Sequence, residues 1–448
     1  LVVGLLSLAY LLAMVDRLVF SLLVEPIKND LHLSDAQIGA LAGLAFGLFY
    51  TLMGIPIGRL ADRVHRPALI AAAVLLWSAA TMACGLASSF SRLFATRVLV
   101  GVGEAGISPA AYALIADVVP RQRLGRALSV YMLGTVVGLG VAWIAGGQLL
   151  QCLGGAVLHV PLLGLLAPWQ AVFVLVGLPG LVVAPLLLLL HEPRRNGAPS
   201  SHAGARTGRG ERTDLGERTG VGSIIEQLRR HAGVYGAHFA GMAAINTYGY
   251  ALVTWAPAMF RRSFDWSMER TGTLLGAGVL IAGCAGMLGS GMIVDALSRR
   301  MREDAPFRIL FFGTLLMAPF GVLGPLAPGA WGRTLLFVVP VMGLFFAVVA
   351  CAPTALQIVT PASMRASVSS VYLLIVNIVA FAVGPLSVGL ISDRLAAARG
   401  NLGLALMLLA AVSLPAGALA FRAGLAPYRR AVVALREPVA PEAIPLPT

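Results

Sequence analysis

The sequence predicts an all-α membrane protein: twelve transmembrane helices in two pseudo-symmetric six-helix bundles. Three observations carry that prediction. The 448 residues are 58% hydrophobic and 12% charged, with a mean hydropathy of +0.85, whereas ordinary soluble domains are about 45–50% apolar and about 25% charged. Apolar runs near the roughly 20 residues that cross a bilayer recur along the whole chain. A short motif also appears once per half: Gly58-Arg59-Leu60-Ala61-Asp62-Arg63-Val64-His65-Arg66 returns as Gly291-Met292-Ile293-Val294-Asp295 followed by Arg299.

The predicted spans cover 1–24, 35–57, 67–87, 91–117, 124–152 and 167–190, then 231–260, 269–297, 306–326, 333–359, 366–392 and 401–422. The first begins at Leu1 without a methionine, so a preceding stretch is expected to have been trimmed. It runs into Asp16-Arg17 with no cleavage-site pattern and does not read as a signal peptide. Residues 1–190 form the N-terminal bundle and 231–424 the C-terminal bundle, with 425–448 as a tail. Between them, 191–230 is rich in Arg, Gly, Ser, Thr and Glu and too poor in apolar side chains to offset chain entropy, so it is predicted to be largely disordered. Ser223-Ile224-Ile225-Glu226 fits a capping box ahead of a short surface helix.

The net charge of +13 does not point to nucleic acid. With both termini and the even-numbered connections placed on one face, that face holds 23 of the Lys and Arg residues, the opposite face holds 8, and Arg17 and Arg97 lie within spans. The positive-inside rule then puts both termini in the cytoplasm. Cys84, Cys152, Cys284 and Cys351 stand apart, with no CxxC and no Cys/His cluster. Neither a disulfide framework nor a metal site is indicated.

The halves repeat. Pro120 to Tyr131 aligns without a gap with Pro361 to Tyr372, an offset of 241 residues against 233 for the glycine-aspartate motif. Two parallel repeats with a site at their interface suit rocking, alternating-access transport. In the motif, a glycine permits close approach of helix ends, and the acid and base can join them on the wet side. The gate candidates are therefore Gly58, Asp62, Arg66 and Asp117, with Gly291, Asp295 and Arg299 in the second half. Opposite charges among Asp62, Arg66 and Asp117 are expected to pair in the outward-facing state. No acid equivalent to Asp117 exists in the second half, where the offset lands on Ile358.

Together, Asp16-Arg17, the Gly58–Arg66 motif and Arg97-Val98-Leu99-Val100-Gly101-Val102-Gly103-Glu104-Ala105 resemble the major facilitator superfamily and, within it, the Spinster-type transporters and their bacterial relatives. Trp255-Ala256-Pro257 adds weaker support. The superfamily resemblance spans essentially the whole chain; the Spinster-like part rests mainly on residues 12–147. The chain departs from it in having Ala13-Met14-Val15 before the Asp-Arg pair and His65 where a small glycine is usual. Span 5 carries Gly134, Gly138, Gly140, Gly146 and Gly147 but lacks the Gly-Pro step of the antiporter signature, so antiport is not indicated.

Asp16, Arg17, Arg97 and Glu104 are the strongly charged residues well inside the predicted spans. Each costs about 2.5–3.5 kcal/mol at a helix centre on insertion scales, so each calls for a partner, water or a function. Arg97 and Glu104 are two turns apart, about 10 Å along one face. Asp16 and Arg17 point about 100° apart, which suggests Arg17 near Glu104 and Asp16 towards Arg97 or the cavity. A carboxylate moving between a desolvated and an arginine-paired environment takes up and releases a proton. The resemblance implies coupling or substrate contact at these positions. Candidate substrate contacts are Tyr112, Asn246, Tyr248, Tyr250, Tyr372 and Asn377.

The expected function is secondary active transport, proton-coupled, of an amphipathic or lipid-like organic anion; the Spinster resemblance implies lysophospholipid or sphingolipid-type cargo. The alternative is a carrier of small organic acids or hydrophobic drugs on the same scaffold. A membrane sensor or intramembrane enzyme fits poorly, since no P-loop, HExxH or nucleophile–base pairing is present. No cofactor is expected beyond the proton gradient. The expected partners are substrate and membrane lipids around a monomer in a bacterial inner membrane.

Overall fold

The computed structural model describes residues 2–61, 63–154, 158–160, 164–190, 192, 221–299, 304–361, 364–395 and 401–434. Among the described residues, twelve helical spans follow one another in sequence. Spans 1 to 6 are Val2–Leu22, Asp35–Ala61, Arg66–Cys84, Phe90–Val118, Arg121–Cys152 and Pro168–Leu188. Spans 7 to 12 are Ala232–Phe264, Met268–Arg299, Ala305–Leu323, Gly329–Ile358, Arg365–Arg394 and Asn401–Ala434. An even number of crossings leaves both chain ends on one side, called here the terminal face; the opposite side is the far face.

Among the described residues, eleven of these helices are long and apolar enough to cross a membrane. Span 7 falls outside that group because it carries His238, Asn246, Thr247, Thr254 and three tyrosines. It nevertheless buries most of its length between spans 1, 11 and 12. Protein rather than lipid surrounds it, so polar side chains cost little there.

Several spans depart from straight α-helix where the bundle interior needs it. Span 2 is π-helical over Leu41–Leu48. Span 4 breaks at Ala105-Gly106, directly after Glu104, where the freed Ala105 N–H still reaches the Gly101 carbonyl at 3.2 Å. Such breaks are tolerated at membrane depth only inside protein or along a cavity. Between spans 5 and 6 a small antiparallel pair, Leu158–Val160 with Gly164–Leu166, interrupts the otherwise helical chain at the far face.

Two boundaries differ from the sequence expectation. Span 12 continues as helix through Pro427 to Ala434, with Tyr428 fully buried, so the predicted tail from 425 begins within a helix. Tyr428 stacks on Phe307 at 4.7 Å, and that aromatic contact extends the span. The linker helix runs over Val221–Arg230. Ser223 therefore lies within it and is not its N-cap; the apolar face of Ile224 and Leu228 already packs on the core there. Residues 193–220 of the predicted disordered linker lie outside the described residues.

Candidate functional site

The two halves meet along spans 1 and 7, 2 and 11, and 5 and 8. Close contact is concentrated towards the far face. On span 2, Gly39, Gly43 and Gly47 recur every four residues and press on span 11: a Cβ at each would lie 2.5 Å from the Pro385 oxygen, 2.2 Å from the Phe381 oxygen and 2.2 Å from the Phe381 side chain. Small residues at that spacing let helix backbones touch. Span 5 uses its glycines on two faces. Gly134, Gly138 and Gly146 meet Tyr10, Met14 and Val19 of span 1, while Gly140 and Gly147 meet Leu280 and Met268 of span 8.

An ionic network crosses the same end. Asp35, 1% exposed, starts span 2 and receives both Nη atoms of Arg262 at 2.7 Å, Lys28 Nζ at 2.5 Å and the Ser392 hydroxyl at 2.6 Å. Arg262 Nε also reaches Glu25 at 2.8 Å. In return Asp393 accepts the N–H groups of Asp35 and Ala36 at 2.9 and 2.8 Å, an anion set at a helix N-terminus. N-half and C-half residues alternate through this network, which seals the far face. None of Glu25, Lys28, Asp35, Arg262, Ser392 or Asp393 stands out in the sequence; the Gly39-Gly43-Gly47 spacing is the available signal.

The central charges lie beneath that seal. Arg17 of span 1 donates to one oxygen of Glu104, from Nη2 at 2.6 Å and Nε at 2.9 Å. Glu104 is fully buried, and Arg17 is 12% exposed. The motif around Glu104 positions it through its glycines: a Cβ on Gly101 would meet the Phe46 carbonyl at 2.4 Å, and one on Gly103 the Trp77 amide nitrogen at 2.8 Å. Aromatic rings complete the cluster. The Arg17 guanidinium lies 4.6 Å from the Phe46 ring centre and 4.5 Å from that of Tyr50. Arg97 lies 4.8 Å from Phe20 and 5.2 Å from Phe46, so Phe46 touches both cations.

Asp16 is 2% exposed and faces Trp77 and Thr81 of span 3 as well as Arg97 and Glu104. Trp77 and Thr81 are its hydrogen-bonding neighbours, but none of Asp16 Oδ1, Trp77 Nε1, Thr81 Oγ1, Arg97 Nε or Glu104 Oε1 makes a well-formed hydrogen bond among the described residues. A cavity of about 40 Å³ is lined by Arg17, Phe20, Phe46 and Arg97 from the N-half and by Tyr250 and Phe381 from the C-half. Phe381 closes it, packed 4.1 Å from Tyr250 and 5.9 Å from Phe46, centre to centre. The volume admits about one water, or a small polar group.

The predicted substrate contacts separate. Tyr250 lines this cavity. Tyr112, 37% exposed, belongs with Tyr131 and Tyr10 to an aromatic group on the terminal-face side of Arg17. Tyr248 turns away: it is fully buried and donates to the Gly321 carbonyl of span 9 at 3.3 Å. The Asn246 amide is used within its own helix, donating to the Met242 carbonyl at 2.8 Å. Tyr372 packs on His238 at 5.1 Å and Phe239 at 5.7 Å. Asn377 is half-buried on span 11. Helical periodicity explains the separation, since Tyr248 and Tyr250 lie about 200° apart around span 7.

At the terminal face Arg66 pairs with Asp117. This pair lies within the N-half and is present while the Arg262–Asp35 network joins the halves at the far face. Glu192, which no sequence motif singles out, joins it by accepting the Arg66 N–H at 3.0 Å. His65 caps span 3, its Nδ1 accepting the Ala68 N–H at 3.3 Å. A Cβ on Gly58 would lie 3.8 Å from Pro109, an ordinary contact distance, and one on Gly291 would meet open space; neither glycine marks a close approach here. Asp62 lies outside the described residues, as do the side chains of Asp295 and Arg299.

The sequence profile of the Major Facilitator Superfamily matches residues 6–385. An MFS-type efflux pump of Mycolicibacterium smegmatis is 33% identical over 436 residues, covering 96% of this chain and 94% of the pump. Human protein spinster homolog 1 is 28% identical, over 88% of this chain and 73% of its own length. Among solved structures, a bacterial homolog of the human lysosomal transporter Spinster, inward-facing and unoccupied, superposes with a TM-score of 0.76 at 27% identity, covering 98% of each chain. The chain belongs to the Major Facilitator Superfamily and is a multi-pass membrane transporter related to Spinster and its bacterial homologue.

Proposed function

We propose that this protein is a proton-coupled secondary transporter of amphipathic or lipid-like organic anions, with lysophospholipid or sphingolipid-type cargo, and with both termini in the cytoplasm of a bacterial inner membrane. The observation that carries the reading is the buried quartet at the junction of the halves. With Asp16, Arg17, Arg97 and Glu104 all ionised the quartet is neutral. Arg17 holds one oxygen of Glu104, whereas the other Glu104 oxygen, Asp16 Oδ1 and Arg97 Nε make no well-formed hydrogen bond among the described residues. A proton on Asp16 leaves a net charge of +1 beside the cavity that Arg97 lines, and an anionic head group then gains a partner. The cavity holds about one water as it stands, so in this reading it marks the charged end of the site and widens around the head group as the halves rock, while the aromatic group from Tyr50 to Tyr112 suits an apolar tail extending towards the terminal face.

The gate residues Gly58, Asp62, Arg66, Asp117, Gly291, Asp295 and Arg299 act in this reading at the cytoplasmic ends of the spans, the Arg66–Asp117–Glu192 cluster holding the N-half rigid as the halves rock. The efflux pump relative favours a second reading in which the cargo is a hydrophobic drug leaving the cell. Proteoliposomes with an imposed pH gradient test both. Lysolipid-dependent proton flux that is lost in Asp16→Asn and in Glu104→Gln supports the proposal. Gradient-dependent transport retained by both variants overturns the coupling role, and competition by drugs but not lysolipids favours the second reading.

A further inference from the structure

A second cavity, of about 690 Å³, lies within the C-half between spans 8, 9 and 10 and shares no lining residue with the central cavity. Its walls are almost wholly apolar, with Gly289, Phe312, Leu316 and Leu344 among them. Phe312 and Leu316 are 56% and 54% exposed, so the groove opens on the outer wall, where a membrane-spanning protein meets acyl chains. Its polar end is formed by Ser290 and Arg308, and Arg308 lies four residues from Asp304 at the terminal-face end of span 9.

The corresponding spans of the N-half are on the whole more buried. The most apolar stretches of spans 2, 3 and 4 are 44%, 56% and 61% buried, whereas those of spans 8, 9 and 10 are 22%, 33% and 50% buried. The charge at the groove mouth is also unbalanced. Arg308 Nε at 2.9 Å and Arg429 Nη2 at 3.0 Å share the single carboxylate of Asp304. Among the described residues two guanidiniums thus share one acid, a net positive cluster at the terminal-face end of span 9. Basic pockets between transmembrane helices bind anionic lipid head groups on this principle.

We infer that this groove holds one phospholipid with an anionic head group, drawn from the leaflet at the terminal face, its head group on Arg308 and an acyl chain along the Gly289 wall. The lipid supplies packing that spans 8 to 10 lack and so stiffens the C-half without entering the transport path.

Native mass spectrometry of the full chain tests this, with phosphatidylglycerol, phosphatidylcholine and inorganic phosphate as probes. The expected result is one retained phosphatidylglycerol, preferred over phosphatidylcholine by about tenfold, as one charge-assisted hydrogen bond provides. Arg308→Gln should erase that preference while keeping a lipid bound. A Cβ at Gly289 meets nothing within 4 Å, so Gly289→Trp should fill the groove without a clash at that atom and lose both lipids, while Gly289→Ala retains them. Equal retention of the two lipids by the unmodified protein, an unchanged preference in Arg308→Gln, or displacement of the lipid by phosphate alone would each overturn the inference. The wild-type comparison needs no variant to fold.

Discussion

Removing Arg262 should open the far face. Its guanidinium makes two bonds of 2.7 Å to Asp35 and one of 2.8 Å to Glu25, and these bonds join the C-half to the N-half. Charge-assisted hydrogen bonds contribute about 1.5–3 kcal/mol each, and breaking a buried ion pair costs about 3–5 kcal/mol. Lys28 and Ser392 still hold Asp35 after Arg262→Ala, which places the loss at the lower end, about 3 kcal/mol. Because that energy is available only when the far face is closed, the closed-to-open ratio should fall by about 150-fold. Spin labels on cysteines replacing Asn29 and Arg270, one exposed site on each half at the far face, read the change by pulsed electron resonance, with Cys152 replaced first because it is exposed. The wild type should give one short distance and Arg262→Ala a dominant longer one. An unchanged distance distribution would refute the assignment of this network as the seal and leave the glycine contacts to hold the halves together.

Gly43→Val tests those contacts. Its Cβ would meet the Phe381 carbonyl at 2.2 Å, and the overpacking should cost about 1–3 kcal/mol, lengthening the same label distance; Gly54→Val, whose Cβ meets nothing within 4 Å, should leave it unchanged. At the terminal face, burial raises the Asp304 carboxyl, but the hydrogen bonds from Arg308 and Arg429 outweigh it and hold the group below its ordinary 3.8. A lowered acid stabilises the fold above its unfolded pKa and loses that contribution as pH falls through the folded value. The melting temperatures of wild type and Asp304→Asn should therefore differ at pH 6 and begin to converge only as pH falls below about 4. Tyr248→Phe removes a hydrogen bond to Gly321 away from the cavity and should lower stability by about 1 kcal/mol while transport rates stay at the wild-type level; a collapse of transport would place Tyr248 in the substrate path.

The sequence by itself determined the number of spans, their order and the division into two halves, because bilayer thickness and the cost of charge in hydrocarbon act on composition alone. It also identified Asp16, Arg17, Arg97 and Glu104, since an ionic side chain inside an apolar run is legible one residue at a time. The angle between neighbouring helix positions already pointed Arg17 towards Glu104, the pair the structure contains. The Arg262–Asp35 pair was beyond its reach: it joins helices distant in sequence, and the rotation of each helix about its axis decides it. That rotation also turns Tyr250 into the cavity and Tyr248 out of it. The aromatic support from Phe20, Phe46, Tyr50 and Phe381 was hidden for a related reason: in a chain this apolar, a phenylalanine beside a buried cation reads the same as one facing lipid. Only the packing of the two halves, through glycines that let their backbones touch, separates those environments.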